Sequence, residues 1–391
     1  MSTTSKQSGP TIGFLSFNSH APRLYITSPS AHAPESTLAA WQAEGFETSY
    51  IPFNPAQEKA YNTTIKGLYN DLRLGETYGI IAYGEAATSV LRIAQKPLVK
   101  CAALIAFYPG MLPSAGFKFA PSLHVQIHVG GEQVSPRPEM CEWGLYRYPN
   151  CRIGFAEPES KTYARVEAEL GFSRTLTCLK KAFKLDLDLE PVVQAAWNSK
   201  YEEDQPERGS MGVVQGMSQT GAHVTVVPTL VGGVGRKKLE EFYREFFIPS
   251  LVKDFKIRLL SRTIGVDRVV DEMLVSFTHS DEVDWILPGV PPTDKGVEIA
   301  MVSVVGVRGG KLVSEHMYWD QASVLVQIGL LDPKVVPKNL KSQGLKRLPV
   351  VGAEGARQVA EVRQERYNDL LNEHGLLEGM NALNVNGVNG S

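Results

Sequence analysis

Between residues 11 and 183, short apolar runs alternate with longer stretches in which apolar side chains recur every three or four positions. Runs of the first kind suit buried strands and those of the second suit amphipathic helices, since side chains repeat with period two along a strand and 3.6 along a helix. Residues 12–17, 48–51, 78–82, 101–107 and 123–129 are thereby predicted as strands, and 35–44, 66–74, 87–94 and 161–183 as helices. The last of these carries Val166, Leu170, Leu176 and Leu179 at helical spacings. Such a rhythm gives an α/β domain, an open and mostly parallel sheet covered by helices.

The texture changes after Lys184. Residues 184–217 turn polar, and the run YEEDQPERGSMG is expected to be a loop near a domain boundary. Residues 239–247 read as a compact helix, and after Lys256 long alternating strands follow, with a hairpin turn at Arg308-Gly309-Gly310-Lys311. An α+β domain with a curved antiparallel sheet is expected there. Beyond Leu331 the pattern allows one amphipathic helix, 353–373, and then the Asn/Gly-rich end NALNVNGVNGS, expected to be disordered. The chain thus divides into 11–185, 189–332 and a C-terminal extension, 333–391, as its 391 residues are too many for one ordinary domain.

Composition narrows the partners. A hydrophobic share of 43%, a charged share of 21% and a formal charge of −2 leave no electrostatic footprint for nucleic acid or an anionic membrane, so a small-molecule ligand is expected. Four cysteines without a C-x-x-C pair indicate a reducing compartment. No apolar run approaches the ~18 residues of a membrane helix, and the polar start MSTTSKQSGP has no signal-peptide core, so a cytoplasmic location is expected. In that setting the sequon at Asn62 carries no weight.

Chemistry-bearing residues crowd into 276–331. His279, Asp281, Asp284, Trp285, His316, Tyr318, Trp319, Asp320 and Gln321 interrupt Val/Ile/Met-rich runs there. Polar groups rarely enter a sheet without a partner or a task, so a polar pocket is expected. On a strand 312–320, His316, Tyr318 and Asp320 share one face, and Val313, Met317 and Trp319 share the other. Trp285 and Trp319 offer flat surfaces for stacking. His279, Asp281, Asp284, His316 and Asp320 lack the short spacing of a zinc site, so neither metal nor cofactor is expected.

In the first block, Tyr78-Gly79-Ile80-Ile81-Ala82-Tyr83-Gly84-Glu85-Ala86-Ala87 has the form of a nucleophile elbow, an apolar strand ending in small residues before a helix. Residues 11–183 resemble the dienelactone hydrolase branch of the α/β-hydrolases, whose elbow reads G-x-C-x-G-G. The resemblance places Gly84 at the nucleophile, Glu132-Gln133-Val134 at the acid and Ile153 at the histidine. Nucleophile, base and orienting acid are therefore not intact, and a scaffold or dimerisation role follows. Glu85 is either a substitute base or a carboxylate favoured by the helix dipole. His124, Gln126 and His128 share one strand face.

Residues 189–332 resemble the SnoaL-like polyketide cyclases. The matching segments are Pro228-Thr229-Leu230-Val231-Gly232-Gly233-Val234-Gly235, Asp267-Arg268-Val269-Val270-Asp271-Glu272, Phe277-Thr278-His279, Asp284-Trp285-Ile286-Leu287-Pro288-Gly289 and Glu315-His316-Met317-Tyr318-Trp319-Asp320-Gln321. The resemblance implies a cone enclosing one pocket, catalysis without metal or cofactor, an acid/base role for Asp320 flanked by His316 and His279, and homodimers. Trp285, Tyr318, Trp319 and Asp281 would bind substrate, with Glu85 the candidate in the first block. A histidine of the family pattern is replaced by Val226. Three functions stay open: a cyclase or isomerase acting on a polyketide-like or terpenoid-like intermediate of secondary metabolism, a lactone or ester hydrolase, and a non-catalytic binding or scaffold protein.

Overall fold

Strands rich in Ile, Ala and Val without polar alternation belong where both sheet faces are covered, and the first half of the chain supplies them. The computed structural model describes residues 21–186, 188–202 and 205–361, and the chain divides into two units, Met1–Asp188 and Leu189–Ser391. The first contains β1 (Arg23–Ser28), α1 (Glu35–Ala43), β2 (Glu47–Pro52), α2 (Glu58–Gly67), β3 (Tyr78–Tyr83), α3 (Gly84–Ile93), β4 (Cys101–Phe107), β5 (His124–Gly130), β6 (Gly144–Tyr148) and α4 (Arg165–Phe183). Its six strands run parallel in the order β2-β1-β3-β4-β5-β6. β3 and β4 are buried along their whole length.

The predicted α/β alternation holds, with three corrections. The helix expected at 66–74 lies earlier, because Asn54 Oδ1 accepts the Ala56 N–H and Pro55 opens a 3₁₀ turn that runs into α2. β6 pairs beside β5 and was not predicted. The elbow helix begins at Gly84 itself, three residues before the expected start. The strand expected at 12–17 lies outside the described residues, as do the predicted disordered end and the part of the 353–373 helix beyond Glu361.

The second unit contains α5 (Glu190–Tyr201), α6 (Pro206–Gln215), β7 (His223–Val226), β8 (Val231–Val234), α7 (Arg236–Phe242), β9 (Lys256–Ile264), β10 (Arg268–Thr278), β11 (Gly296–Arg308), β12 (Lys311–Trp319), α8 (Gln321–Gln327), α9 (Lys338–Lys341) and α10 (Glu354–Ala360). α5 and α6 correct the expected loop. Each starts on a proline in its first turn, where the missing N–H costs nothing. α7 runs on as a π-helical turn, Tyr243–Phe247.

The sheet order is β8-β7-β12-β11-β10-β9, antiparallel except for the β7–β12 pair. Its predicted hairpin turn is present, with Gly309 and Gly310 both at positive φ (55° and 70°) between β11 and β12. Register shifts at Glu272/Met273 and Gly306/Val307 bend the strands. One face of β10 and β11 is buried at every second residue, from Val269 to Phe277 and from Val297 to Val305, and packs with Val193, Val213, Leu239 and Phe247 of the helical segments.

Candidate functional site

Alternation gives the two faces of β12 but not which one faces inward. Glu315 and Met317 are buried and Trp319 is half-buried, whereas Tyr318 is exposed and His316 half-exposed on the opposite face. The face expected to line a pocket is the outer one. There the His316 ring lies 5.5 Å from that of His223 and 6.4 Å from that of Tyr318.

The inner face carries a polar group that was not foreseen. Glu315, only 5% exposed, pairs with the ammonium of buried Lys200 from α5. It also accepts from the Tyr243 hydroxyl at 3.2 Å and the Ser303 hydroxyl at 3.1 Å. Every oxygen of this buried carboxylate is thereby occupied, which offsets its desolvation. Beside it, Arg262 grips Asp271 through two bonds of 2.7 and 2.9 Å. A cavity of about 10 Å³, lined by Lys200, Tyr201, Asp271, Ser303 and Glu315, leaves room for about one water.

The signal for Glu315 was in the sequence. It shares its parity with Val313, Met317 and Trp319, the apolar set, and is the lone acid on that face of β12. Lys200 and Tyr243 could not be matched to it, because they arrive from helices 115 and 72 residues away.

Asp320 is exposed and caps α8, its Oδ1 accepting the Ala322 N–H at 3.0 Å. Asp281 is exposed and accepts the Glu282 N–H at 2.8 Å. His279 is fully enclosed, bonded at Nδ1 to the Thr293 hydroxyl at 3.0 Å, and burial holds its pKa below the usual histidine range. Asp320, His316 and His279 therefore occupy three different settings: a helix cap, the outer sheet face and the interior beyond β10.

Trp285 and Trp319 do meet, edge to face at 5.7 Å. Trp285 forms the wall of a groove of about 410 Å³, with Phe242, Phe246, Leu230, Val231 and Pro288 as apolar lining and Lys238, Glu241 and Asp284 as its charged groups. The wall is fixed from two sides. Thr229 Oγ1 donates to the Trp285 carbonyl at 2.9 Å, and Gln321 Nε2 donates to the Ile286 carbonyl at 2.8 Å. Behind it, the Phe247 ring lies 4.7 Å from Trp285 and 5.4 Å from Tyr243, so a stack of rings joins the groove to the Glu315 network. Leu230, 84% exposed at the rim, holds a left-handed φ of 55°, a costly conformation for a bulky residue.

In the first unit, Gly84 sits at the strand-to-helix turn with φ 56°. A Cβ there would meet only the Pro29 ring, at 3.6 Å. Glu85 is exposed in the first turn of α3, Glu132 pairs with Arg152 at 3.3 Å, and Ile153 is 49% exposed. The turn lies at the carboxyl ends of β1 and β3, where the strand order reverses. Nearby, burial raises the pKa of Glu157, whose carboxylate bonds Tyr108. His128 is buried between the Tyr148 hydroxyl (2.8 Å) and Gln126 (3.1 Å), and desolvation lowers its pKa to about 3. His124 lies half-buried at the start of β5.

Among the described residues no group of three or more His, Cys, Asp or Glu side chains could hold a metal ion. Among the same residues no helix is long and apolar enough to cross a membrane.

No family model matches the chain, and no curated protein does. Solved structures do. A protein from Jannaschia sp. CCS1 assigned as a SnoaL-like polyketide cyclase aligns at 14% identity over 38% of this chain and 99% of its own, with a TM-score of 0.31. IdmH from Streptomyces antibioticus, assigned as a polyketide cyclase, aligns at 18% identity over 37% of this chain and 99% of its own, TM-score 0.28. A protein of ketosteroid isomerase-like fold from Catenulispora acidiphila aligns at 16% identity over 37% of this chain and 97% of its own, TM-score 0.28.

Proposed function

We propose that the second unit is a cofactor-independent cyclase or isomerase that takes a flat, mostly apolar, polyketide-like or terpenoid-like molecule into the Trp285 groove. The observation that carries this is the groove itself: its ~410 Å³ is the size of a small-molecule site, and aromatic walls with a few charged groups are the usual composition of one. Phe246, half-exposed, supplies the accessible aromatic surface, Phe242 and Trp285 lie buried behind it, and the bonds from Thr229 and Gln321 keep that wall in place before a ligand arrives.

Holding a flexible chain with its reacting carbons in contact removes conformational entropy from the barrier, so shape supplies much of the rate. Proton movement falls to Asp284 and Glu241, the carboxylates of the lining. The Lys200–Glu315 pair lies behind the ring stack and braces it. Asp320, engaged as a cap, is not needed for the reaction.

The test has two parts. A hydroxynaphthoquinone, a flat aromatic ketone, should quench tryptophan fluorescence saturably, and Phe246→Glu should weaken its binding by about tenfold or more, since burying one aromatic ring contributes ~1.5–3 kcal/mol. Phe246 is half-exposed, so this variant should fold. Linear polyketone or polyene precursors should then give products of unchanged mass. Unaltered binding in Phe246→Glu, or products that have gained one water, would overturn the proposal.

A further inference from the structure

The groove wall stands on a loop that closes on one histidine. Residues 280–295 leave β10 and return to β11, carrying Asp284, Trp285 and Pro288, and their two ends meet at His279. The His279 carbonyl accepts the N–H groups of Thr293 and Asp294, both at 3.0 Å, and its own N–H donates to the Lys295 carbonyl at 2.9 Å. Its imidazole Nδ1 bonds Thr293 Oγ1 at 3.0 Å. A loop of this length with joined ends is an Ω-loop, a form often used for function.

The ring has no solvent exposure, and its other nitrogen, Nε2, has no partner. A neutral imidazole bears this at modest cost, as one unfilled acceptor. An imidazolium would bury both a charge and an unsatisfied donor, a far larger penalty. The charged group acting on the ring is Asp294, on the loop itself, and its attraction is outweighed by desolvation. Asp254, from the segment before β9, spends its carboxylate on the Thr278 N–H, and Asp281 and Glu282 are exposed.

We infer that His279 is a positioning residue: neutral, it latches the Trp285 loop against the groove, and on protonation it releases the loop and loosens ligand binding. This deepens the groove proposal and rests on it for the ligand. The sign follows from the depressed pKa. Closure is complete above the ordinary histidine value of about 6.5 and is lost as the pH falls below it, because the open loop binds the proton more tightly.

Two measurements on the full chain test this. Hydrogen exchange of the 280–294 amides, corrected for intrinsic rates, should show protection at about pH 7.5 that falls by about tenfold or more at about pH 5. His279→Asn, whose side chain can keep the Thr293 bond without titrating, should hold its protection at both values. Thr293→Val should lower protection already at neutral pH. Hydroxynaphthoquinone affinity should follow the same pattern in the three proteins. Equal loss of protection in wild type and His279→Asn, or no loss in wild type, would overturn the latch. A probe that fails to bind at neutral pH while exchange behaves as expected would sink the groove proposal and leave the latch standing.

Discussion

The two sheets handle polar side chains in different ways. In the first unit, β3 and β4 are covered on both faces, and the polar groups gather at the carboxyl ends: Ser28, the Gly84 turn, Tyr108 and Glu157. Gln126 and His128 are buried within β5, and His128, neutral, stacks on Phe107 at 4.3 Å. In the second unit, Asp271 and Glu315 stand in mid-strand on the buried face, paired with Arg262 and Lys200, and the Tyr243 and Ser303 hydroxyls donate to Glu315. A sheet with helices on one face can bury a carboxylate if a helix, as for Lys200, or the neighbouring strand, as for Arg262, delivers the partner. A parallel sheet covered on both faces leaves room for polar chemistry at its edge, the place where open α/β sheets bind ligands.

The contrast can be broken most severely at Lys200. Lys200→Met strands the Glu315 carboxylate in the core and should cost about 3–5 kcal/mol, whereas Lys200→Met with Glu315→Gln should recover most of it; denaturant unfolding of the three proteins decides this. If the single variant is as stable as the double, the buried pair is not a pair in energetic terms.

His128 tests the neutral counterpart. Its pKa of about 3 lies below the unfolded value, so the unfolded chain takes up the proton, and stability drops as pH falls from about 6.5 toward 3. The slope contributed is at most about 1.4 kcal/mol per pH unit. Thermal unfolding from neutral to mildly acidic pH should be less pH-dependent in His128→Phe than in wild type.

At Gly84, alanine meets no steric obstacle, so only the left-handed backbone is penalised, by about 1–2 kcal/mol. A loss well above that would show the turn to be packed more tightly than its geometry states. The smallest effect is expected at Asp320. Asp320→Ala should remove a helix cap at about 1 kcal/mol and leave probe binding and product formation at wild-type level, whereas a large loss of turnover at retained stability would return Asp320 to the chemistry.

Much of the fold was legible because the strong patterns are local. The runs of β3 and β4, the long alternation of β10 and β11 and the Gly309-Gly310 turn all state their form within a dozen residues. α5 and α6 were not, since their surfaces are polar and Pro206 resembles a breaker until it is recognised as a first-turn proline. The site was less legible than the fold. Trp285, expected as a stacking surface, is buried at the back of the groove. The alternation of β12 gives its register but not its sense, because polarity does not mark the inside here: the inner face is apolar with one paired acid. Nothing in the local sequence joins Glu315 to Lys200.

The π-helical turn at Tyr243–Phe247 sets a limit on how this protein can change. Phe242 and Phe246 reach the groove while Tyr243 and Phe247 reach the Glu315 network and Trp285, two neighbouring rows served by one widened turn. Deleting one residue would let the turn return to ordinary α-helical winding, but the residues left in it could no longer supply both rows, and either the groove or the Glu315 network would lose a ring. The extra residue of this turn is thus what allows one short helix to serve two surfaces.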